Sequence, residues 1–582
     1  MSETGIPAAT GRRWVLVGLF TVAAMLLLAR AVDLQLLSRD FLQDHGDARY
    51  LRVVDTPAHR GMILDRNGEP LAVSTPVSSV WANPRELMKA QAQWPLLARV
   101  LGMTGKQLEE LVVPRRKRGF VYLRRHVAPD MARQVMALGI KGVSLQREFH
   151  RYYPASEVAA HVVGFTNVDD RGQEGVELAF DARLRGSPGA KRVIKDGRGR
   201  IVENVEGLRA SQRGEDLHLS IDRRIQYIAY RELKAAVVTY QAKAGSIVVI
   251  DSHSGEILAM ANQPSYNPNN RSEMKDEYFR NRAVTDAFEP GSTIKPFTIA
   301  AALESGAYTP TTPINTTPGF YKLGTHTIRD THNYGRLDVT GVITKSSNVG
   351  ASRIALSLDP KQLWSMFERV GFGQVPGGGF PGETGGRLAD YRDWREIGQA
   401  TMAFGYGLSM SLLQLARAYT VLANDGISLP LTIEKRKQPV AGRRVMAAAI
   451  AAQVRTMLET VITRGTGRRA HVTGYRVAGK TGTVHKSIIG GYAVDRYLAV
   501  FAGIAPASRP RLVIAVMIDE PSAGSYYGGQ VAAPVFARVM GESLRLLAVA
   551  PDNSRELGQM HIAMHLPGGY SRVASAAGGG AR

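Results

Sequence analysis

No cysteine occurs among the 582 residues. That excludes disulfides, zinc–thiolate sites and a cysteine nucleophile, and leaves the redox compartment open. Histidine does not fill the gap. His326, His332 and His485 stand without metal-ligand spacing, so no metal and no cofactor is expected. No repeat of about 20–50 residues is present, which sets aside solenoids and propellers. Acidic residues are outnumbered, 51 Asp+Glu against 73 Lys+Arg, for a formal net charge of +22. Such a surplus suits an anionic partner, whether a membrane surface, an acidic polymer or nucleic acid. It is spread along the chain, with one dense cluster at Arg115-Arg116-Lys117-Arg118, followed by Arg124 and Arg125. That cluster reads first as a solvated loop or hairpin face and second as a lipid or wall contact. No nucleic-acid-binding motif stands beside it, so nucleic acid is not an expected partner.

What is present is mostly globular. Hydrophobic residues make up 44% and charged residues 21%, and 582 residues are enough for two or three domains. One charge-free apolar run stands out, "WVLVGLFTVAAMLLLA" at Trp14–Ala29. At about 1.5 Å per residue it is short of a ~30 Å hydrocarbon core. Its apolar helical pattern continues to Leu37, and Arg30 can snorkel to the interface. Ala29-Arg30-Ala31 resembles a signal-peptidase site, but the length of the run favours an uncleaved transmembrane anchor over 14–37, preceded by a short tail at 1–13. Basic residues flank the run on both sides, so charge alone does not orient it.

Residues 45–215 read as short strands and turns with a few helices, one of them "PRELMKAQAQWPLLARVLG" from Pro84. From Gly214 the texture changes. "GSIVVI" and "EILAMA", joined by "DSHSG", read as a hairpin. Val531, Val535, Val539 and Leu544 fall near helical spacing. The tail 551–582 is expected to be partly disordered.

"GYRVAGKTGT" (Gly474–Thr483) matches the phosphate-loop pattern over its first eight residues, and "LVIAVMIDE" (Leu512–Glu520) imitates a Walker B strand. A phosphate loop needs a helix directly after Lys-Thr. Here "GTVHKSIIGG" follows, which is poor helix material. "LAVFAGI" and "LVIAVMI" are joined by only "APASRPR", too short for a parallel crossover, so they must pair antiparallel. The NTPase reading fails on both counts. Lys480 is better placed on a strand, with Gly482 on its face and Thr481 and Thr483 on the other. A glycine there permits close approach of a substrate backbone.

"FEPGSTIKPFTIAAALESG" (Phe288–Gly306) supplies a partner for it. Pro290-Gly291 turns the chain, a buried helix follows, and Pro296 fits only in its first turn. Ser292 then sits at the helix start with Lys295 on the same face. A serine hydroxyl is inert without a base; a neutral lysine serves, and a second ammonium such as Lys480 would depress its pKa. S-x-x-K also occurs at Ser272–Lys275 and S-x-N at Ser265–Asn267, both in surface-like surroundings. The S-x-N copy at Ser346–Asn348, inside "TKSSNVGASRIA", leads into a helix, where Ser346 or Ser347 could equally be a helix cap.

S-x-x-K, S-x-N and K-T-G in that order resemble the penicilloyl-serine transferases. "RGMILDRNGEPLA", "YYPASEVAAHVVGF" and "GQEGVELAFD" are similar to the non-catalytic module of class B penicillin-binding proteins. "NQPSYNPNNR" and "AFGYGLSMSLLQLARAYTVLANDG" are similar to their transpeptidase domain, and the match is to the cell-division type. The resemblance implies an α/β (α+β) fold: a five-stranded antiparallel sheet flanked by helices over 216–550, an elongated α+β pedestal or dimerisation-type domain over 45–215, and one N-terminal transmembrane helix. It implies a peptidoglycan D,D-transpeptidase at the division septum. Ser292 would be the nucleophile, Lys295 the base and Ser346 a proton relay. Asn348 would orient the substrate, Lys480 supply charge, and Thr481, Gly482 and Thr483 bind substrate. Stem peptides, covalent β-lactams, an FtsW-like glycosyltransferase and other division proteins are the implied partners, with the catalytic domain in the periplasm on a single-pass inner-membrane anchor. An elongation-type transpeptidase, a D,D-carboxypeptidase and a β-lactam-binding sensor share the acylation step. Val484-His485 departs from the alanine that often follows the second threonine in this family, which touches substrate detail on the strand and leaves the reaction class alone.

Overall fold

The computed structural model describes residues 8–37, 51–195, 201–270, 272, 275–488, 490–553 and 556. Two compact units emerge. The first comprises Met1–His59, Thr75–His150 and Gly186–Gly214, and the second Arg60–Ser74, Arg151–Arg185 and Glu215–Arg582. Two segments read from the sequence as part of the support module, Arg60–Ser74 and Arg151–Arg185, therefore belong by compactness to the second unit. Most of the C-terminal tail lies outside the described residues.

In the first unit a helix runs over Ala8–Val32. The stretch Gly11–Gln35 is long and apolar enough to cross a membrane, and none of it is buried against protein. The helix expected as one element from Pro84 is broken in three: Pro84–Leu87, a 3₁₀ turn Met88–Gln93 and Trp94–Leu101. The break falls at Ala90, with φ −114° and ψ 32°, and Pro95 lies in the first turn of the last piece, where its missing N–H costs nothing. Leu87, Leu97, Leu101 and Leu108 pack with Val80 and Val121 in a core of their own.

The second unit is built on five antiparallel strands: β1 (Ala244–Asp251), β2 (Ile257–Gln263), β3 (Ala478–Ile488), β4 (Gly491–Ala505) and β5 (Leu512–Asp519), in the order β2-β1-β5-β4-β3. The β1–β2 hairpin and the antiparallel β4–β5 pair both follow from their short connections. Because β1 is buried on both faces, its residues alternate between two cores. Ile247 and Val249 pack with α1 (Arg223–Thr239) and the C-terminal helix Gly528–Leu546, whose Val531, Val535, Val539 and Leu544 are all buried. Val248 and Ile250 face the larger core, which includes α2 (Lys295–Glu304) and residues of the helix Leu412–Ala423. Strand β3 is left at the sheet edge.

The stretches quoted for the support module carry a buried charge network within this unit. Arg60, wholly buried, binds Glu177 at 2.7 Å and Asp181 at 2.7 Å. Arg151 meets Glu177 from the other side at 2.6 Å and reaches the Gly61 carbonyl and Ser74 Oγ. Charges this deep survive only when paired and hydrogen-bonded.

Candidate active site

Lys480 falls within β3, so the phosphate-loop spacing around it is an accident of sequence. Thr481, Thr483 and His485 line a cleft of about 690 Å³, as alternation on a strand requires. Lys480, Gly482 and Val484 point the other way. A Cβ on Gly482 would stand 3.0 Å from the Pro290 carbonyl and 3.0 Å from Thr293 Cγ2. The glycine thus lets β3 lie against the turn that carries Ser292; its open side meets the protein's own turn. Gly291 is needed for the same contact. Its φ is +55°, and a Cβ there would strike Val484 Cγ2 at 2.4 Å.

Ser292 occupies the 3₁₀ turn Gly291–Ile294 and lines the cleft. Lys295 opens α2, with Pro296 in its first turn as expected. The Lys295 ammonium is buried and donates to the Ser346 carbonyl at 2.6 Å, Asn348 Oδ1 at 2.8 Å and Ser346 Oγ at 3.3 Å. Lys480 Nζ, also buried, donates to the same Ser346 Oγ at 2.9 Å and to the Thr481 carbonyl at 3.1 Å. Two ammonium groups thus share one hydroxyl away from water. Burial holds Lys295 well below the ordinary lysine value, and the nearby Lys480 lowers it further. Burial brings Lys480 down to about 7.

The S-x-N element joins two helices. Ser346 ends α3 (Val339–Lys345) in the left-handed region, φ +60°, a conformation uncommon for a residue with a Cβ and found where surroundings over-determine it. Ser347 is the residue that caps: its Oγ accepts from Gly350 N at 2.8 Å at the start of α4 (Asn348–Leu356). Ser346 keeps its hydroxyl for the two lysines. Ser272 and Ser265, from the decoy copies, are placed elsewhere, Ser265 donating to the Glu157 carbonyl at 2.8 Å.

Asp330 was missed by the sequence reading. Its carboxylate accepts from Ser347 Oγ at 2.5 Å and from the backbone N–H groups of Asn348 at 2.5 Å and Val349 at 3.0 Å, fixing the S-x-N turn. It is also the charge that favours protonated Lys295. No local pattern marks it, because its partners are brought by the fold. Thr466 was missed for the same reason; its Oγ1 lies 2.7 Å from Thr481 Oγ1. So were the tyrosines of the cleft wall, Tyr497 and Tyr526, stacked at 4.0 Å, and Tyr527. Glu289, three residues before Ser292, accepts from Gly407 N at 2.8 Å and from the Tyr492 hydroxyl at 3.1 Å.

Comparison with known proteins gives two family models. Residues 245–541 match the penicillin binding protein transpeptidase domain, and residues 55–219 the penicillin-binding protein dimerisation domain. The chain is 45% identical to a probable peptidoglycan D,D-transpeptidase PbpC of Pseudomonas aeruginosa, over 93% of this chain and 96% of that one. It is 44% identical to the peptidoglycan D,D-transpeptidase FtsI of Escherichia coli, over 92% of each. Among solved structures, penicillin binding protein 3 of Mycobacterium tuberculosis, complexed with aztreonam, superposes with a TM-score of 0.67 at 29% identity, covering 86% of this chain and 98% of that one.

Proposed function

The chain belongs to the FtsI-like class B penicillin-binding proteins, and on that premise we propose how its residues carry out serine D-Ala–D-Ala transpeptidation in cell-wall synthesis at the division septum. The observation that carries the proposal is the meeting of two buried ammonium groups on Ser346 Oγ beside the Ser292 turn. Two adjacent buried cations cannot both hold their protons at neutral pH. In this reading Lys295, held low by burial and by the neighbouring Lys480, is the neutral amine and takes the Ser292 proton as Oγ attacks the penultimate D-Ala carbonyl.

Ser292 Oγ forms the new acyl bond, the peptide bond breaks, and D-Ala leaves with a proton passed through Ser346. The amine of a second stem then attacks the acyl carbon, the new amide bond forms as the Ser292 Oγ–acyl bond breaks, and the amine's proton returns through Lys295 to Ser292 Oγ, freeing the enzyme. Asn348, fixed by Lys295 and by the Arg329 carbonyl at 3.1 Å, orients the substrate amide. Thr481 and Thr483 receive the terminal carboxylate, Lys480, buried behind them, supplies positive charge, and Gly482 seats the strand. The backbone N–H groups of Ser292 and Thr483 form the oxyanion hole, each donor worth roughly 10²–10³ in rate. No metal or cofactor enters these steps. A β-lactam acylates the same Oγ and is released slowly.

In this reading residues 45–215 are the pedestal or dimerisation-type domain and 216–550 the transpeptidase domain. The apolar helix of 14–37 anchors the chain in the inner membrane, with the catalytic domain in the periplasm and an FtsW-like glycosyltransferase as partner. The test is acylation. Full-length protein exposed to penicillin should carry the adduct on Ser292 by mass spectrometry, and Ser292→Ala should carry none; an adduct on another residue would overturn the assignment. Cross-linking of nascent glycan separates a transpeptidase from a hydrolase or a sensor, and filamentation on depletion separates division from elongation.

A further inference from the structure

We infer that the mouth of the Ser292 cleft is a second carboxylate subsite, formed by Arg329, Lys345, Arg468 and Arg469, that selects stem peptides bearing an acidic group upstream of their D-Ala–D-Ala end. The inference rests on the transpeptidase reading and concerns a different carboxylate from the terminal one.

All four cations line the cleft that Ser292 lines, and all four are exposed. None forms an ion pair among the described residues, although Arg329 lies over the Phe320 ring at 5.8 Å. Asp330 is the one acid lining the cleft among the described residues, and its oxygens are occupied by Ser347 and by the N–H groups of Asn348 and Val349. One carboxylate against four cations leaves the rim with a net surplus of positive charge.

Each cation is also tied by its backbone to the catalytic groups. Arg329 ends the strand His326–Arg329, precedes Asp330, and gives its carbonyl to Asn348 Nδ2 at 3.1 Å. Lys345 ends α3 immediately before Ser346. Arg468 and Arg469 open the turn Arg468–Ala470, two residues past Thr466, whose hydroxyl pairs with Thr481. Three separate elements bring unpaired positive charge to one rim at fixed offsets from the reacting atoms. Cationic side chains around a concave site concentrate anions there. Guanidinium groups also match carboxylate geometry in particular.

The experiment uses full-length enzyme and two stem-peptide thioesters ending in D-Ala–D-thiolactate, one with a side-chain carboxylate upstream and one with the carboxamide. The ratio of their kcat/KM values is the readout, so a general loss of activity cancels. Exposed charge pairs of this kind are expected to give about a three- to tenfold preference for the carboxylate at low salt. The preference should fall towards one in Arg468→Gln/Arg469→Gln or in Arg329→Gln/Lys345→Gln, and in the unaltered enzyme as salt rises. A ratio of one in the unaltered enzyme, or a ratio unmoved in both double variants, overturns the subsite. Penicillin labelling of the unaltered enzyme is scored alongside. If labelling at Ser292 is present, such a result strikes the subsite alone; if it is absent, the transpeptidase reading falls and the subsite with it.

Discussion

At the scale of single residues, the charge on Lys295 is set by opposing neighbours, and the two can be separated by sign. Lys480 disfavours protonated Lys295 and Asp330 favours it. If neutral Lys295 is the base, acylation falls on the acid side as that amine takes a proton. Lys480→Gln removes the repelling cation, so Lys295 holds its proton to higher pH and the acid limb of kcat/KM for penicillin acylation moves up. Asp330→Asn removes the attracting anion, so the limb moves down. Limbs moving the same way in both variants would show that Lys295 does not set it. Stability has its own sign. Lys480 titrates near 7 in the fold, against about 10.4 when unfolded. Across that window the unfolded chain binds the extra proton. Unfolding free energy therefore rises with pH by up to about 1.4 kcal/mol per unit, and the burial penalty is fully present below 7. Denaturant titrations at several pH values should show a shallower rise in Lys480→Met than in the unaltered protein.

At the scale of elements, the seating of β3 on the Ser292 turn is the joint on which geometry depends. Gly482→Ala puts a Cβ 3.0 Å from the Pro290 carbonyl and Thr293 Cγ2, and carbonyl backbone gives little. The strand or the turn must move by a few tenths of an ångström. Overpacking of this sort costs about 1–3 kcal/mol, and a misplaced nucleophile costs more in rate than in stability, up to about 100-fold for 1 Å. The expected outcome is a folded protein whose penicillin acylation is slowed by about tenfold or more; an unchanged acylation rate would show that the joint has slack. The Arg60–Glu177–Arg151 network is the opposite case, remote in role from the chemistry. Arg60→Ala leaves Glu177 short of a partner and should destabilise the second unit by about 3–5 kcal/mol, read as a lowered denaturant midpoint.

At the scale of the whole molecule, the absence of cysteine becomes a tool. A single Ala449→Cys places one thiol at an exposed position on the helix Ala448–Thr463. In intact cells a membrane-impermeant maleimide that crosses the outer membrane should label it, which is the result required if the catalytic unit is periplasmic. Labelling only after the inner membrane is broken would reverse the orientation. The helix Ala8–Val32 predicts that the full chain fractionates with membranes.

Much of this molecule was legible in order along the chain. Alternation and short connections gave the antiparallel strands, because a seven-residue link cannot return a parallel neighbour. The residues after Lys480 excluded a phosphate loop because glycine and β-branched residues make a poor helix. Pro296 placed Ser292 at a helix start because proline lacks the N–H that the first turn does not need. Those are local constraints, and local sequence suffices to express them. The break at Ala90 was not read from the sequence. Nor was Asp330, the service of Gly482 to the protein's own turn, or the sharing of Ser346 by Lys295 and Lys480. In each, the partners are far apart in the chain, and their distances exist only once the sheet and helices have closed. The sequence by itself determined which chemical groups the protein owns and the order in which they come. The tertiary structure alone decided which of them stand within hydrogen-bond distance of one another and away from water, because burial and proximity belong to the folded chain.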